Sequence, residues 1–239
     1  NINNKIKCAA FCEMDGYVSA NQTGDAYTKA LKENNVEIIE NFEVSKIENL
    51  KDNYEIINAV GKKITAKKIV LATGVYLEKI LKLLNINIKI KCFPQQLIVT
   101  ERMPELLKTV ITVAHGKLSL KQFENGTVLI GGGWPGKGNI ENGYNETIPE
   151  NLIGNMRLAC HAIPNLKNSR VSRVWLGLEA ETDDAMPIIG ELPNLKNAFI
   201  IGSIHSGYTS GPYMGKLLSE KILGKDIDLS LFDIRRLIN

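Results

Sequence analysis

The chain has 239 residues, of which 44% are hydrophobic and 6% aromatic, enough for one large domain or two small ones with a sizeable core. Its formal net charge of +3 comes from lysines scattered among acidic residues, which excludes a concentrated nucleic-acid-binding surface, and no apolar run reaches transmembrane length. The opening residues lack a signal-peptide core, and metal-pair spacing is absent from the four cysteines, Cys8, Cys12, Cys92 and Cys160. We therefore expect a cytoplasmic protein with reduced thiols, no bound metal and no nucleic-acid partner.

The first third of the chain alternates between helix and strand signals. A helix is predicted over residues 26–33, where Ala26, Ala30 and Leu31 share a face and Asn34-Asn35 ends the pattern. Short strands are predicted over 36–39, 42–47 and 54–60. Residues 67–71 then predict a buried strand that ends in Ala72-Thr73-Gly74, with a helix over 75–84.

From Ile86 the pattern becomes antiparallel. Ile86, Ile88 and Ile90 alternate with polar residues and predict a half-exposed strand, which a turn at 92–94 ends. Further strands are predicted over 96–101, 110–114, 117–123, 127–131 and 170–179, and a helix over 150–161. Asn125-Gly126 is the strongest hairpin signal, and the glycine-rich residues 131–138 predict a flexible loop that serves as a lid or a pocket wall.

Residues 197–224 carry the clearest functional pattern. A buried strand over 198–201 ends at Gly202, a loop of small, hydroxyl and glycine residues follows, and Pro212 is predicted to open a helix that Gly224 caps. This arrangement directs backbone N–H groups and the positive end of a helix dipole at an electron-rich ligand. The loop has no lysine or arginine, so backbone and hydroxyl groups would hold the ligand. Taken alone, the pattern is more typical of an ordinary strand-to-helix connection.

Four segments of the chain resemble the flavin-dependent D-amino-acid oxidase family and follow one another in the family's order. The family includes glycine oxidase, sarcosine oxidase and related amine dehydrogenases. They are DGYVSANQTGDAYTKALKENNVEIIENFEVSKIE, KKIVLATG, the insert from CFPQQLIVTE to RVWLGLEAETDDAMPIIG, and FIIGSIHSGYTSGP. The resemblance implies an α/β fold with an α+β insert: a partial Rossmann-like FAD-binding domain and an antiparallel-sheet substrate domain. The implied boundaries are 1–85 and 181–239 for the FAD-binding domain, and 86–180 for the substrate domain.

One departure from the family is large. The family begins with a βαβ unit of about 30 residues that carries GxGxxG, and no GxGxxG occurs in this chain. We expect either that the chain is a fragment or that another chain supplies this unit, and that FAD binds poorly without it. The covalent-flavin cysteine of monomeric sarcosine oxidases would fall near Gly177, and this chain has no cysteine there. The resemblance therefore implies non-covalent FAD.

The resemblance also implies which residues contact FAD. Val44 corresponds to a valine whose backbone contacts the adenine, although a plain core strand would look the same. Reduced flavin carries negative charge near N1 and the C2 carbonyl, which a helix N-terminus or a cation stabilises. His205 and Tyr208 are the candidate catalytic residues, with a neutral hydrogen-bonding role or simple packing as alternatives. The other cofactor-binding candidates are Ala72, Thr73, Gly74, Gly202, Ser203, Ser206, Gly207 and Thr209.

Substrate contacts are expected from the insert and its closing strand. Trp175, Gly177, Asp184, Pro187 and Gly190 match the family's W-x-G…D-x-x-P-x-x-G pattern. Glycine oxidase-like members hold the substrate carboxylate with an arginine in a G-L-R-P stretch, but this chain has Glu179 there. Glu179 would attract a cationic amine, or it is a salt-bridged structural residue. Trp134 and Tyr144 flank the glycine-rich loop and are further pocket candidates, and Arg102 and Arg173 are the insert's cations for an anionic substrate. The insert also contains His115 and His161, and His161 is expected to end a helix.

By resemblance, the chain is an FAD-dependent oxidoreductase that oxidises the C–N bond of an amino acid or secondary amine, such as sarcosine, proline, glycine or an opine. The implied partners are this small-molecule substrate and a further subunit of a multi-component dehydrogenase. The alternative is a non-catalytic fragment or scaffold subunit that does not bind FAD alone.

Overall fold

The computed structural model describes residues 1–114, 116–138, 140 and 145–238. The α-helices are α1 (Ala20–Glu33), α2 (Leu77–Lys82), α3 (Pro149–Ala162) and α4 (Gly207–Ile222). The strands are β1 (Val44–Leu50), β2 (Asn53–Asn58), β3 (Lys63–Ala66), β4 (Ile69–Leu71), β5 (Lys91–Thr100), β6 (Ile111–Thr112), β7 (Ser119–Gln122), β8 (Val128–Gly131), β9 (Lys137–Gly138), β10 (Asn145–Glu146), β11 (Val171–Glu181), β12 (Ile188–Glu191) and β13 (Ala198–Gly202). Short 3-10 helices cover Gly74–Tyr76, Pro164–Asn168, Ser230–Phe232 and Ile234–Leu237.

The chain divides into two compact units. The first unit comprises residues 1–38 and 94–177, and the second comprises residues 39–93 and 178–239. The divisions at 93/94 and 177/178 fall inside β5 and β11. Residues 1–38 therefore group with the insert, whereas the sequence assigned them to the FAD-binding part. The functional assignment of the predicted domains stays a prediction.

The second unit contains two three-stranded sheets. One has the order β1-β2-β3 and is antiparallel; the other has the order β12-β13-β4, in which β13 pairs parallel with β4. The fully buried Leu77 of α2 packs into a core shared with Leu71 and Ile200. The buried Tyr54 donates its hydroxyl hydrogen to the Lys196 carbonyl at 2.7 Å, which ties β2 to the segment before β13.

The first unit contains a five-stranded sheet with the order β11-β5-β8-β7-β6. The pairs β5–β8, β7–β8 and β6–β7 are antiparallel. The predicted Asn125-Gly126 hairpin is confirmed: Gly126 has φ +88°, and Phe123 donates its N–H to the Thr127 carbonyl at 2.9 Å. The predicted helix over 150–161 is also confirmed as α3, which packs its buried Ala159 into the core beside this sheet.

Two of the predicted strands are wrong. Residues 36–39 have no strand pairing, and the Val36 N–H donates instead to the Leu31 carbonyl at the end of α1, at 2.9 Å. Residues 86–90 are equally unpaired, although Ile86 and Ile88 are buried as their alternation implied. Alternation shows which side chains are buried, but a strand also needs a hydrogen-bonding neighbour, and here the Ile90 N–H donates to the Glu78 carboxylate at 3.0 Å.

The predicted turn at 92–94 is wrong as well, because β5 continues through it. Pro94 has no N–H to donate, but its carbonyl accepts from the Gly136 N–H at 2.7 Å. The neighbouring Gln96 N–H donates to the Trp134 carbonyl at 2.8 Å, so residues 131–138 are fastened to β5 by backbone hydrogen bonds. These bonds favour a wall over a lid for that segment.

The start of α4 differs from the prediction. Pro212 lies inside the helix, which begins five residues earlier at Gly207. A proline there leaves the Tyr208 carbonyl without its usual helical donor, so the first turn is hydrogen-bonded less completely than the rest. The predicted cap is confirmed: Gly224 has φ +88°, and its N–H donates to the Lys221 carbonyl at 3.0 Å.

Within the described ranges, every helix is too short or too polar to cross a membrane.

Candidate functional site

The carboxyl ends of β4 and β13 form one edge of the second unit. The parallel register pairs Ala198 with Ile69 and Ile200 with Leu71, so the two strands end side by side. Gly202 is the last residue of β13. It lies close against α2, since a Cβ at this position would stand 2.6 Å from Leu77 Cδ2. In open parallel sheets, ligands bind outside the carboxyl ends of the strands. The candidate site is therefore this edge.

The loop from β13 to α4 is backbone-strained on both sides of His205. Ser203 has φ +49° and Ser206 has φ +56°, both in the left-handed region that non-glycine residues rarely adopt. Each such residue costs about 1–3 kcal/mol, and such costs concentrate at binding and active sites. The strain makes residues 203–206 a candidate functional loop.

The N-terminus of α4 offers free hydrogen-bond donors. Within the ranges that the structure covers, the backbone N–H groups of Gly207 and Tyr208 have no acceptor, and no side chain caps the helix. Gly207 has open space where a Cβ would stand. Both residues and Thr209 are exposed. An anionic or electron-rich group can therefore approach these donors and the positive end of the helix dipole.

Two buried hydroxyl groups at the same edge lack partners. Ser203 is 3% exposed, and neither its Oγ nor the Oγ1 of Thr73 has a hydrogen-bond partner among the described residues. Thr73 follows the end of β4, and Ser203 follows the end of β13. A buried hydroxyl without a partner costs about 1–3 kcal/mol, so a ligand that brings a partner would bind here with a gain.

Glu179 and His205 form an ion-pair contact in the second unit. His205 Nδ1 lies 3.1 Å from Glu179 Oε1, which joins the end of β11 to the loop before α4. The sequence marked both residues but not their pairing, because no local pattern connects a strand residue to a distant loop. Of the two alternatives for Glu179, this contact favours the salt-bridged residue.

The other predicted cofactor contacts of the second unit divide into two groups. Ala72 and Gly74 flank Thr73 at the edge, where both are exposed and Gly74 has φ +54°. Val44 begins β1 and packs against the core that contains Leu71, as a plain core strand would. Its adenine contact stays a prediction, and so does the catalytic role of the exposed Tyr208.

The two predicted tryptophans lie in the first unit. Trp134 donates its indole N–H to the Lys117 carbonyl at 2.5 Å and lies against Gly154 of α3. Trp175 is half-buried on β11, with the Arg173 guanidinium 5.1 Å from its ring centroid. Their substrate contacts stay predictions, and the candidates Tyr144 and His115 lie outside the described residues.

One groove of the first unit lies away from these residues. It has a volume of about 950 Å³. Its walls include Tyr17 from the segment before α1, Tyr27 from α1 and Phe123 from the β7–β8 hairpin. None of the predicted site residues lines it. Size alone therefore does not identify the site, and the strain and free donors of residues 202–209 are the stronger signals.

The donor set at the edge suits a flavin dinucleotide. Free N–H groups, hydroxyl groups and a helix N-terminus match the carbonyl and ring-nitrogen acceptors of a flavin, and the open space above Gly74 and Gly207 admits a flat ring close to the backbone.

Comparisons with known proteins agree with this assignment. A family model described as FAD dependent oxidoreductase (DAO) matches residues 2–221, which confirms the resemblance and the FAD cofactor predicted from the sequence. A hydrogen cyanide synthase subunit of Pseudomonas protegens is 27% identical over 235 residues, covering 95% of this chain and 55% of that protein. An opine oxidase subunit of Rhizobium meliloti is 24% identical over 231 residues, covering 95% of this chain and 58% of that protein.

The fold comparison gives the same result. The L-proline dehydrogenase of P. horikoshii superposes with a TM-score of 0.78 at 23% identity, covering 90% of this chain and 59% of that one. The predicted mixed α/β fold class is thereby confirmed. The chain spans a little over half the length of the curated relatives it matches.

Proposed function

This chain belongs to the FAD dependent oxidoreductase family, and we propose that the protein oxidises the C–N bond of an amino acid or secondary amine. The observation that carries the proposal is the edge where β4 and β13 end in parallel. There the strained Ser203–Ser206 loop, unpartnered hydroxyls and free helix N–H groups occur together.

The residues at this edge would hold FAD without a covalent bond. Bound FAD accepts the hydride that leaves the carbon next to the amine nitrogen. The N–H groups of Gly207 and Tyr208, together with the α4 dipole, stabilise negative charge on the ligand. His205 adds a further donor, and Ser203, Ser206, Thr209 and Ala72 to Gly74 complete the contact set.

The substrate assignment depends on Glu179. By the resemblance, Glu179 stands where glycine oxidase-like proteins carry a carboxylate-binding arginine, so a substrate carboxylate would need another cation in this protein. A secondary amine is the proposed substrate, in line with relatives named for opine oxidation and proline dehydrogenation. Trp134 and Trp175 would supply apolar substrate contacts.

A second subunit is part of the proposal. Two relatives are named as subunits, of a hydrogen cyanide synthase and of an opine oxidase, which supports a multi-component enzyme.

The proposal is tested with protein expressed from the complete reading frame that encodes this chain. We expect the yellow absorbance of flavin, released on acid precipitation because it is not covalently bound. Anaerobic addition of sarcosine, L-proline or an opine should bleach this absorbance and yield a carbonyl product after the imine hydrolyses. Protein that stays colourless in excess FAD would favour the non-catalytic scaffold, and coloured protein that no amine bleaches would contradict the substrate class.

A further inference from the structure

The two partners in the contact between Glu179 and His205 are not equivalent. We infer that Glu179 is a positioning residue: its carboxylate fixes the orientation and protonation pattern of the His205 imidazole at the candidate flavin edge. The inference rests on the proposed function, since it assigns a role within the same site.

The chemistry of the two groups determines where the protons lie. An ionised carboxylate has no proton to donate and repels a nitrogen lone pair, so its position 3.1 Å from the His205 Nδ1 favours the form of the ring that is protonated on Nδ1. The other ring nitrogen, Nε2, is then free to face a ligand. In a histidine, the hydrogen bond made by one nitrogen decides the state of the other. Glu179 therefore determines what Nε2 presents to the flavin.

The exposed fractions of the two side chains show which one is fixed in place and which one it orients. The Glu179 side chain is 29% exposed and stands on β11, whereas the His205 side chain is 63% exposed on a loop. Just beyond Glu179, the Thr182 hydroxyl donates to Asp184 at 2.7 Å, and Asp184 also accepts from Arg236. The carboxylate is therefore anchored on a fixed strand end, and the imidazole is the part that needs a fixed partner.

Neighbouring charges do not compete for the pair. Asp183 pairs with Lys91 at 2.8 Å, and Asp184 pairs with Arg236 at 2.7 Å. Among the described residues, His205 is the ion-pair partner of Glu179, and Glu179 is that of His205. The two groups therefore act on each other rather than through a wider network.

This arrangement predicts an interaction whose sign depends on His205. With His205 present, the Glu179 carboxylate would make the histidine a stronger hydrogen-bond donor and so aid stabilisation of negative charge on a bound flavin. Without the imidazole, the same carboxylate is an uncompensated negative charge that opposes it. A residue that merely supports the fold would act in the same direction in both backgrounds.

The first test uses nitrogen NMR and needs no flavin. The protein has three histidines, so the His205 resonances can be assigned by difference with His205→Ala. We expect a protonated Nδ1 in the wild type and its loss in Glu179→Ala, with retention in the isosteric Glu179→Gln, whose amide oxygen still accepts. Glu181→Gln, two residues along β11, is the matched control and should leave the signal unchanged. An unprotonated Nδ1 in the wild type would overturn the inference, whether or not the protein binds flavin.

The second test measures sulfite affinity of the bound flavin, because sulfite binding places negative charge near N1, as reduction does. We expect Glu179→Ala to weaken sulfite binding about tenfold, the equivalent of one charge-assisted hydrogen bond. In the His205→Ala background, the same substitution should strengthen it. Equal effects in both backgrounds would overturn the inference, whereas absent flavin would count against the proposed function alone.

Discussion

The Arg236 guanidinium clamps the Asp184 carboxylate, although 52 positions separate the two residues. Arg236 Nε donates to Asp184 Oδ2 at 2.7 Å, and its Nη2 donates to the carbonyls of Met186 at 2.9 Å and Pro187 at 3.0 Å. The Thr182 hydroxyl completes the cluster at 2.7 Å. The turn between β11 and β12 is thereby fastened to the C-terminal 3-10 helix, which fixes the strand that carries Glu179.

Removing the Asp184 charge should lower stability and flatten its acid dependence. The hydrogen bond from Arg236 lowers the pKa of Asp184 below its ordinary value of 3.8. Because the folded-state pKa lies below the unfolded one, the pair stabilises fully above the ordinary value. The contribution is lost progressively as the pH falls from that value through the lowered folded-state pKa. Because both side chains are partly exposed, we expect Asp184→Asn to cost about 1 kcal/mol at neutral pH.

Urea unfolding at neutral pH and at about pH 3 measures both effects. Asp183→Asn is the control, because Asp183 is more exposed and pairs with the exposed Lys91, so its loss at neutral pH should be smaller. Identical acid slopes for the wild type and Asp184→Asn would contradict the prediction.

Two glycines of the α4 segment should respond to alanine in opposite directions. Gly224 has φ +88° in a Schellman turn, in which the Lys225 N–H donates to the Glu220 carbonyl at 3.0 Å, so Gly224→Ala should destabilise by about 1 kcal/mol. Gly215 lies inside the helix with open space at its Cβ position, so Gly215→Ala should stabilise by about 0.5–1 kcal/mol. Thermal unfolding of the two variants checks both signs, and a shift in the same direction would be inconsistent with this cap.

The features that the sequence predicted correctly are those that one or two residues determine locally. Asn125-Gly126 requires positive φ and forms a hairpin, and Gly224 ends a helix for the same reason. Ile86 and Ile88 show the limit: their burial follows from alternation, but a strand needs a partner elsewhere in the chain. Pro212 shows another limit. Local preference places proline in the first turn of a helix, but α4 accommodates one further inside because its later residues pack into a core.

The candidate site divides in the same way. Composition identified the glycine and hydroxyl loop at 203–209, but not the strain at Ser203 and Ser206 or the pairing of His205 with Glu179. Gln122 is similar: its side chain accepts from the Leu106 N–H at 2.7 Å and holds a loop, yet in sequence it reads as an ordinary strand residue. Such contacts join distant segments, so no local pattern encodes them.

Pro212 should weaken the first turn of α4. Its missing N–H leaves the Tyr208 carbonyl without a helical donor, so Pro212→Ala should restore one bond and slow hydrogen exchange of the neighbouring Gly211 and Tyr213 amides. We expect a gain of about 1 kcal/mol in unfolding free energy. Lys216→Ala, an exposed change in the same helix, is the control. Unchanged exchange in Pro212→Ala would show that the proline does not limit this turn.

Ser203 should have opposite effects on the flavin-free and flavin-bound protein. Its buried Oγ has no partner in the described part of the chain, so Ser203→Ala removes a group whose unpaired burial costs about 1–3 kcal/mol. The flavin-free variant should therefore be at least as stable as the wild type. If the missing partner is on FAD, as we propose, the same substitution should weaken FAD binding about tenfold.

Ser219 provides the matched control, because its hydroxyl already donates to the Lys216 carbonyl at 2.7 Å within α4. Ser219→Ala should leave FAD affinity unchanged, and Thr73→Ala should behave like Ser203→Ala because its Oγ1 is also buried without a partner among the described residues. Thermal unfolding without flavin and fluorescence titration with FAD measure the two quantities separately. A destabilised Ser203→Ala with unaltered FAD affinity would mean that this hydroxyl stabilises the loop and does not contact the ligand. The assignment of the cofactor site to the edge formed by β4 and β13 would then lose its main support.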